Sequence, residues 1–161
     1  MSTMKDVTTI YEEILEKLEK IIMLTESMHS PPLSFGTGKL MHTKEIHTIQ
    51  AIGRYPGINV TRLAEQMGVT KGAISQTIGK LAKKGLIRKR KIFGNKKEVV
   101  LELTDLGWVG FKNHEKFHMD TLGIAQQHYG DQLQGKLENI NSAVDDMYTM
   151  LSEYKKRTRN Q

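Results

Sequence analysis

The chain contains no cysteine in its 161 residues, and that absence excludes several chemistries at once. Disulfides, thiolate metal ligands and thiol-based oxidation sensors all require cysteine. Long apolar runs are missing as well, since no segment approaches the ~20 residues that span a bilayer, and the N-terminus lacks the apolar centre of a signal peptide. We therefore expect a cytoplasmic protein without membrane contact, large enough for one domain of ordinary size.

Acidic residues are absent from positions 66 to 97, whereas ten Lys or Arg residues lie there. The ten are Lys71, Lys80, Lys83, Lys84, Arg88, Lys89, Arg90, Lys91, Lys96 and Lys97. The whole chain has a net charge of +6, and the rest of it, with 14 basic against 18 acidic residues, has a charge of −4. The positive charge is therefore local, which indicates a partner that is anionic over one face. Nucleic acid fits best, because cations that neutralise phosphates release counterions.

The N-terminal part of the chain has the periodicity of amphipathic helices. Apolar residues at steps of three or four predict a helix from Thr8 to Met28, and the Pro- and Gly-containing segment 29–38 ends it. A second helix is predicted to start at Thr43, as its cap, and to end before Tyr55-Pro56-Gly57.

Two short helices joined by a tight turn are predicted next. The first follows Asn59 and ends at Gly68, and the second has Thr70 as its N-cap and is closed by Gly85. One edge of the second helix is small and polar, which suits close approach to a base pair better than it suits a core. That edge consists of Lys71, Gly72, Ser75, Gln76, Gly79 and Lys80.

A β-hairpin and two long helices complete the predicted fold. Leu86-Ile87 and residues 99–103 flank a Gly-Asn turn within 93–97, which predicts two strands. Thr104 then caps a helix that continues to Tyr129, and a heptad pattern from Leu133 to Tyr154 predicts another. The predicted fold class is therefore mainly α with a small β-hairpin wing.

The residues between Leu63 and Gly107 resemble those of the MarR-type winged-helix transcription regulators. The matching pieces, in that family's order and spacing, are Leu63-Ala64-Glu65, Met67-Gly68-Val69-Thr70, Ile74-Ser75, Leu81, Gly85-Leu86-Ile87-Arg88, Val100 and Leu103-Thr104-x-x-Gly107. The resemblance covers essentially the whole chain, 1–161, as one domain. It implies a DNA-binding lobe at 43–103 and a homodimer held by helices in 8–28 and 104–157. Apolar stripes on these terminal helices independently favour a dimer.

The resemblance also implies how double-stranded DNA is bound. The recognition helix would enter the major groove, and the wing would reach the neighbouring minor groove. The family typically has Asp-Arg-Arg at the wing tip, where this chain has Asn95-Lys96-Lys97, so we expect the wing to add affinity more than sequence preference. Asn59 and Thr61 either cap the third helix or touch phosphate. The predicted DNA-binding residues are Thr61, Lys71, Gly72, Ser75, Gln76, Lys80, Arg90, Asn95, Lys96 and Lys97.

Histidines supply a second candidate site. His114 and His118 lie four residues apart on one helical face, and such a pair can share a metal ion. Of His42, Glu45 and His47, which can complete the shell, His47 is the candidate ligand beside the pair. This spacing is similar to that of zinc-responsive members of the family. The chain also resembles the family's fatty-acid-synthesis regulators, in which the effector is an acyl chain, and in that interpretation the histidines are structural.

The functional expectation is a homodimeric, sequence-specific transcription regulator, most simply a repressor at a pseudo-palindromic operator. Phe35, Trp108 and Phe111 are candidates to line a pocket for a small apolar, aromatic or acyl effector, although such residues also suit a core. No cofactor is required, and zinc is the one candidate. The alternatives are a zinc-responsive regulator of the same fold and a nonspecific architectural DNA binder. An enzyme is not expected, because the chain has no nucleophile elbow and no phosphate-binding loop.

Overall fold

A computed structural model describes residues 6–28, 30–92 and 95–158, with the side chains of 92–98 outside that description. Its helices and strands are α1 (Val7–Ser27), α2 (Thr43–Arg54), α3 (Val60–Gln66), α4 (Lys71–Lys83), β1 (Ile87–Ile92), β2 (Asn95–Leu103), α5 (Asp105–Tyr129) and α6 (Leu133–Thr158). A 3₁₀ turn at Gly130–Gln132 joins the last two helices. The predicted fold class, helical with a two-stranded antiparallel wing, is confirmed.

Local side-chain chemistry fixes where most of the helices begin. Asn59 Oδ1 accepts the Arg62 N–H at 2.9 Å, Thr70 Oγ1 accepts the Ala73 N–H at 3.2 Å, and Thr104 Oγ1 accepts the Gly107 N–H at 3.0 Å. Such bonds satisfy N–H groups that the first turn of a helix leaves without helical partners. The three caps set the starts of α3, α4 and α5.

The prediction that Thr43 caps the second helix is wrong by one residue. His42 is the N-cap, and Thr43 is already helical. The carboxylate of Glu45 accepts the backbone N–H of His42 at 3.0 Å, so the first turn closes one residue earlier than the hydroxyl of Thr43 suggested.

The wing is longer than predicted from its apolar residues. β1 pairs antiparallel with β2 from Ile87 opposite Leu103 to Lys91 opposite Val99, and the register then shifts so that Ile92 pairs with Asn95. The predicted strand segments are Leu86-Ile87 and residues 99–103, yet backbone hydrogen bonds extend the ladder through the four basic residues that follow Ile87. Of the predicted Gly-Asn turn, Gly94 lies outside the described residues, whereas Asn95 already belongs to β2.

The chain divides into two compact units, Met1–Glu115 and Lys116–Gln161. In the first unit, one buried cluster joins α2, α3, α4 and the wing, with Ile49, Leu63, Ile78 and Leu101 all fully buried. The wing is also fixed to the helices, because the Leu101 N–H donates to the Ile58 carbonyl at 2.9 Å. The recognition helix and the wing therefore share one core.

Gly107 lets α5 start directly against the end of α4. A Cβ built there would lie 2.0 Å from the carbonyl oxygen of Leu86, which is closer than any real contact. Thr104, three residues earlier, donates its hydroxyl to the Gly85 carbonyl at 2.7 Å. The junction between the recognition helix and the wing is thus held by α5.

The terminal helices carry apolar faces that nothing in the described residues covers. On α1 no residue is buried, and Ile10, Ile14, Ile21 and Leu24 are exposed. On α6, Leu133 is buried and Met147 is half-buried, whereas the other members of the predicted heptad pattern, Leu137, Ile140, Val144, Leu151 and Tyr154, are exposed. No described helix combines the length and apolarity needed to cross a membrane.

Candidate nucleic-acid interface

Helix α4 presents one face to the core and the opposite face to solvent. Ile74, Ile78 and Leu81 are buried. With a rotation of about 100° per residue, Gln76 lies on the side of the helix opposite these three residues. The positions beside Gln76 are also accessible to solvent. Gly72, Gln76, Gly79 and Lys83 lie on this surface, with Ser75 and Lys80 at its edges, whereas Lys71 is exposed but lies about 140° from Gln76 around the helix axis. The predicted contacts on α4 other than Lys71 therefore share one surface.

Two glycines lie on that surface with no intramolecular reason to be glycine. A Cβ at Gly79 would meet no heavy atom within 4 Å, and a Cβ at Gly72 would lie 3.9 Å from Thr70 Oγ1. Neither residue has a positive φ. A helical glycine costs about 0.5 to 1 kcal/mol relative to alanine. The fold alone does not account for these two glycines.

Lys83 belongs to this surface and is absent from the predicted contacts. It is exposed and falls close to the line through Gly72, Gln76 and Gly79. Helical geometry applied to the sequence would have found it, since positions 72, 76, 79 and 83 repeat at steps of four and three. At the start of α3, Asn59 caps the helix, which is one of the two roles predicted for Asn59 and Thr61. Thr61 is half-buried beside it.

The arginines of β1 are engaged by the wing itself. Arg88 and Arg90 lie two residues apart, and their Nε atoms donate to the two carboxylate oxygens of Glu102, at 3.1 and 2.5 Å. The hydrogen bond from Arg90 holds the pKa of Glu102 below its ordinary value; burial opposes this, and Arg88 adds to it. Arg90, a predicted DNA contact, is therefore partly neutralised.

The other basic residues of the wing differ in how far they are described. Lys89 and Lys91 alternate with the two arginines and are exposed, so their side chains leave the opposite face of the strand. The predicted contacts Asn95, Lys96 and Lys97 lie on β2, with their side chains outside the described part of the chain.

Lys84 is half-buried and directed towards the start of α2, whereas its neighbour Lys83 is exposed. Its ammonium donates to Glu45 Oε1 at 2.6 Å and to the carbonyl oxygen of Leu40 at 2.8 Å. Burial would raise the pKa of Glu45, but the Lys84 hydrogen bond, the His42 N–H and the charge of Lys84 outweigh it and lower that pKa. Lys84 belongs to the basic segment, and Glu45 is one of the residues predicted to be able to complete a metal shell. In the structure the two side chains form an ion pair with each other.

The predicted metal ligands are brought together only in part. His114 is fully buried in α5, with its ring centroid 5.4 Å from that of His47 and 5.3 Å from that of Phe35. His118 lies one turn further along α5, edge-on to Phe117. Among residues 6–28, 30–92 and 95–158, no group of three or more His, Asp or Glu side chains is arranged to hold a metal ion.

The predicted effector residues divide between two places. Trp108 and Phe111 contact each other edge to face, with centroids 5.1 Å apart, whereas Phe35 packs on His114. Trp108 also lines a cleft of about 470 Å³ between α2 and the wing. The other lining residues are Ile52, Gly53, Pro56, Gly57, Arg88, Arg90, Leu101, Glu102 and Leu103. Phe111 is not one of the lining residues, but it packs on Gly53, with its ring 2.5 Å from where a Cβ on that glycine would be.

A polar junction that the sequence analysis missed fixes α5 to α2. Glu115 Oε1 accepts hydrogen bonds from Gln50 Nε2 at 2.6 Å and from Arg54 Nη2 at 2.8 Å. Gln50 is buried, so the junction is part of the packed lobe. Sequence spacing gives no signal for it, because the partners are 65 and 61 residues apart.

A helix-turn-helix with an exposed polar second helix, followed by a basic two-stranded wing on the same core, defines a winged helix-turn-helix DNA-binding protein. The family model described as MarR family matches residues 43–99, the lobe that carries this interface. The HTH-type transcriptional regulator YhjH of Bacillus subtilis (strain 168) is 30% identical over 121 residues, 72% of this chain and 69% of that protein. The chain belongs to the MarR family of transcriptional regulators, which are DNA-binding proteins and not enzymes.

Solved structures agree on the fold. FabT of Streptococcus pneumoniae, solved in complex with DNA, superposes with a TM-score of 0.71 at 20% identity, over 92% of this chain and 99% of that one. ZitR of Lactococcus lactis, described as a zinc-responsive MarR family member, gives a TM-score of 0.62 at 20% identity, over 86% of this chain and 99% of that one.

Proposed function

We propose that this regulator is a cytoplasmic homodimeric repressor that reads a pseudo-palindromic operator with α4. The exposed face of α4 carries the proposal: Gln76 lies at its centre between Gly72 and Gly79, with lysines at its edges. Gln can pair bidentately with the N6 and N7 atoms of adenine, and glycine neighbours let it approach the base edge. A dimer bound at a promoter represses by occupying the site that polymerase needs.

Dimerisation follows from the exposed apolar faces of α1 and α6. Ile14 and Leu24 on α1, and Ile140 and Val144 on α6, are between 40% and 62% exposed. Apolar faces of this extent mark an interaction surface. A two-fold dimer would present two recognition helices to half-sites about 34–36 Å apart, one turn of DNA.

Binding to the DNA upstream of the protein's own gene tests this proposal. Fluorescence anisotropy with that duplex and with a scrambled duplex of the same composition should show binding to the first that is at least ~10³-fold tighter. Light scattering on the free protein should give twice the 18.3 kDa chain mass. Equal affinity for both duplexes would support the architectural alternative, and a monomer would contradict the two-fold arrangement.

We propose further that an effector enters the cleft beside Trp108. Its volume lies within the ~300–1,000 Å³ range of small-molecule sites. Its lining includes apolar Ile52, Leu101 and Leu103, together with two arginines that both donate to one glutamate. This combination suits a small apolar body that ends in one anionic group.

Trp108 is the single tryptophan of the chain, so its fluorescence reports on this cleft. Titration with a medium-chain fatty acid or an aromatic carboxylate should change its emission and alter operator affinity. Arg90→Gln should weaken the response, whereas Lys89→Gln, on the other face of the strand, should not. A response that Arg90→Gln leaves unchanged would place the effector elsewhere.

Zinc response is the second candidate, favoured by the proximity of His47 and His114 and by the description of ZitR as zinc-responsive. Protein stripped with a chelator and then given zinc should change its operator affinity if these rings become ligands. His47→Asn should then abolish the effect. Operator binding that ignores zinc would leave the histidines a structural role.

A further inference from the structure

We propose that Lys84 is a positioning residue for DNA binding, which holds the recognition helix in place without touching DNA. The inference rests on the proposed use of α4 as the reading helix. Lys84 is the C-cap residue of α4, and its ammonium joins that end of the helix to Glu45 at the start of α2 and to Leu40 in segment 33–41. One side chain therefore connects three elements.

The contacts explain why a cation is placed here at all. Glu45 is only 4% exposed, so its charge needs a partner inside the protein. Its Oε1 accepts from Lys84 and its Oε2 from the His42 N–H, which gives both carboxylate oxygens a donor. An ion pair of this kind has strict geometry, since a displaced ammonium would leave a buried carboxylate uncompensated. The pair is thus suited to fix the position of the α4 end.

Segment 33–41 is itself seated on α5. A Cβ at Gly36 would lie 2.9 Å from Asn113 Nδ2, and a Cβ at Gly110 would lie 3.2 Å from the Thr37 methyl group. The two ends of the segment, Leu33 and Met41, pair as a short antiparallel bridge. The carbonyl oxygen of Leu40, next to Met41, accepts the hydrogen bond from Lys84. A displacement of this segment on α5 would therefore be transmitted to α4 through Lys84.

Two substitutions with opposite changes of charge separate positioning from phosphate contact. Lys84→Met removes a positive charge, and Glu45→Gln removes a negative one while keeping an acceptor for the His42 N–H. Electrostatics alone would make the second variant bind DNA more tightly. If the pair positions α4, both variants should bind the operator more weakly, by roughly 2- to 30-fold, the effect expected of residues outside the contact surface.

Salt dependence and additivity supply readouts that a general loss of stability would not move. The slope of log affinity against log salt should be unchanged in both variants, whereas an exposed phosphate contact would lower it by about 0.9. Lys83→Met, the same change at the adjacent exposed lysine, calibrates the loss of one surface charge. The double variant should bind no more weakly than the weaker single variant, because both remove the same contact.

The measurements are made on the full-length dimer at a temperature where circular dichroism shows each variant folded. If Lys84→Met does not fold, Glu45→Gln decides alone through the sign of its effect. Any of three results would overturn the inference. Both variants could bind the operator with wild-type affinity, Glu45→Gln could bind it more tightly, or Lys84→Met could have a lower salt slope. A wild-type protein without preference for the operator would instead contradict the proposed function.

Discussion

Replacing Gly79 by alanine should raise the stability of this protein and weaken its binding to DNA. The two effects have different origins. Gly79 lies in the interior of α4, on its exposed face, and an added methyl group would meet no heavy atom within 4 Å. Inside the protein the change therefore alters only helix propensity, whereas at a DNA surface it adds a methyl group to the part of the helix that faces the bases.

The stability change follows from the cost of a helical glycine. Alanine should gain about 0.5 to 1 kcal/mol, which for a chain of this size corresponds to a rise in melting temperature of roughly 1–4 °C. Thermal unfolding followed by circular dichroism measures this. A lower melting temperature would mean that the space beside Gly79 is filled, against the structure.

The binding change follows from close packing at the interface. One extra methyl group in a well-packed contact costs about 1 to 3 kcal/mol, so operator affinity should fall between roughly fivefold and 150-fold. The salt slope should stay the same, because a methyl group displaces no phosphate contact. Fluorescence anisotropy on operator and scrambled duplexes, at several salt concentrations, separates these effects.

Gly123 provides the matched control. It lies in α5, is exposed, and would also place a Cβ within 4 Å of no heavy atom. Gly123→Ala should gain similar stability with no loss of operator affinity, provided that light scattering shows an intact dimer. If Gly79→Ala binds the operator as tightly as Gly123→Ala does, glycine at position 79 does not serve close approach to DNA.

Three further predictions concern single contacts. Gln76→Ala should cost about 1 to 3 kcal/mol at the operator and little on scrambled duplex; equal losses in anisotropy titrations would remove Gln76 from base readout. Replacing Lys96 and Lys97 by alanine should weaken binding to all sequences and lower the salt slope by about 2, so an unchanged slope would mean that the wing tip is off the DNA. Glu45→Gln should destabilise the fold by about 1 to 3 kcal/mol at pH 7, because the mutation removes a charged hydrogen-bond partner; since the pKa of Glu45 is lowered from the ordinary 4.5 in the folded protein, the wild-type advantage is complete above that value and shrinks as the pH falls below it towards the lowered folded pKa. Urea unfolding should therefore show the difference between the two proteins shrinking as the pH is lowered below about 4.5, and a constant difference would contradict the ion pair.

Sequence was sufficient at most places where the deciding interaction was local, the cap of α2 being an exception. The caps Thr70 and Thr104 bond N–H groups three residues away, and Gly85 ends α4 with a φ of +73°. Side-chain identity at those positions carries the information that a helix must start or stop there. The exposed face of α4 is local in the same sense, because one helical period relates the buried and accessible residues.

Sequence failed where the partner lies far along the chain. Lys83 and Lys84 are adjacent and identical in type, yet one faces solvent and the other bonds to Glu45, 39 residues away. Nothing in the charge pattern distinguishes them. The grouping of the predicted effector residues depends on distant partners in the same way, since Phe35 and Trp108 both suit an aromatic pocket and only tertiary packing assigns them to different neighbours.

These assignments change what the basic segment can do on DNA. Lys84 is directed inward, and Arg88 and Arg90 share the charge of Glu102, so part of the positive charge counted in the sequence is used within the lobe. The described cations that remain directed outward are Lys71, Lys80, Lys83, Lys89 and Lys91. All of them are lysines, which attract phosphate as point charges and lack the planar fork of arginine. We therefore expect affinity for any duplex to come from the lysines, and preference for one sequence to depend on Gln76 and on how closely its glycine neighbours let α4 approach the bases.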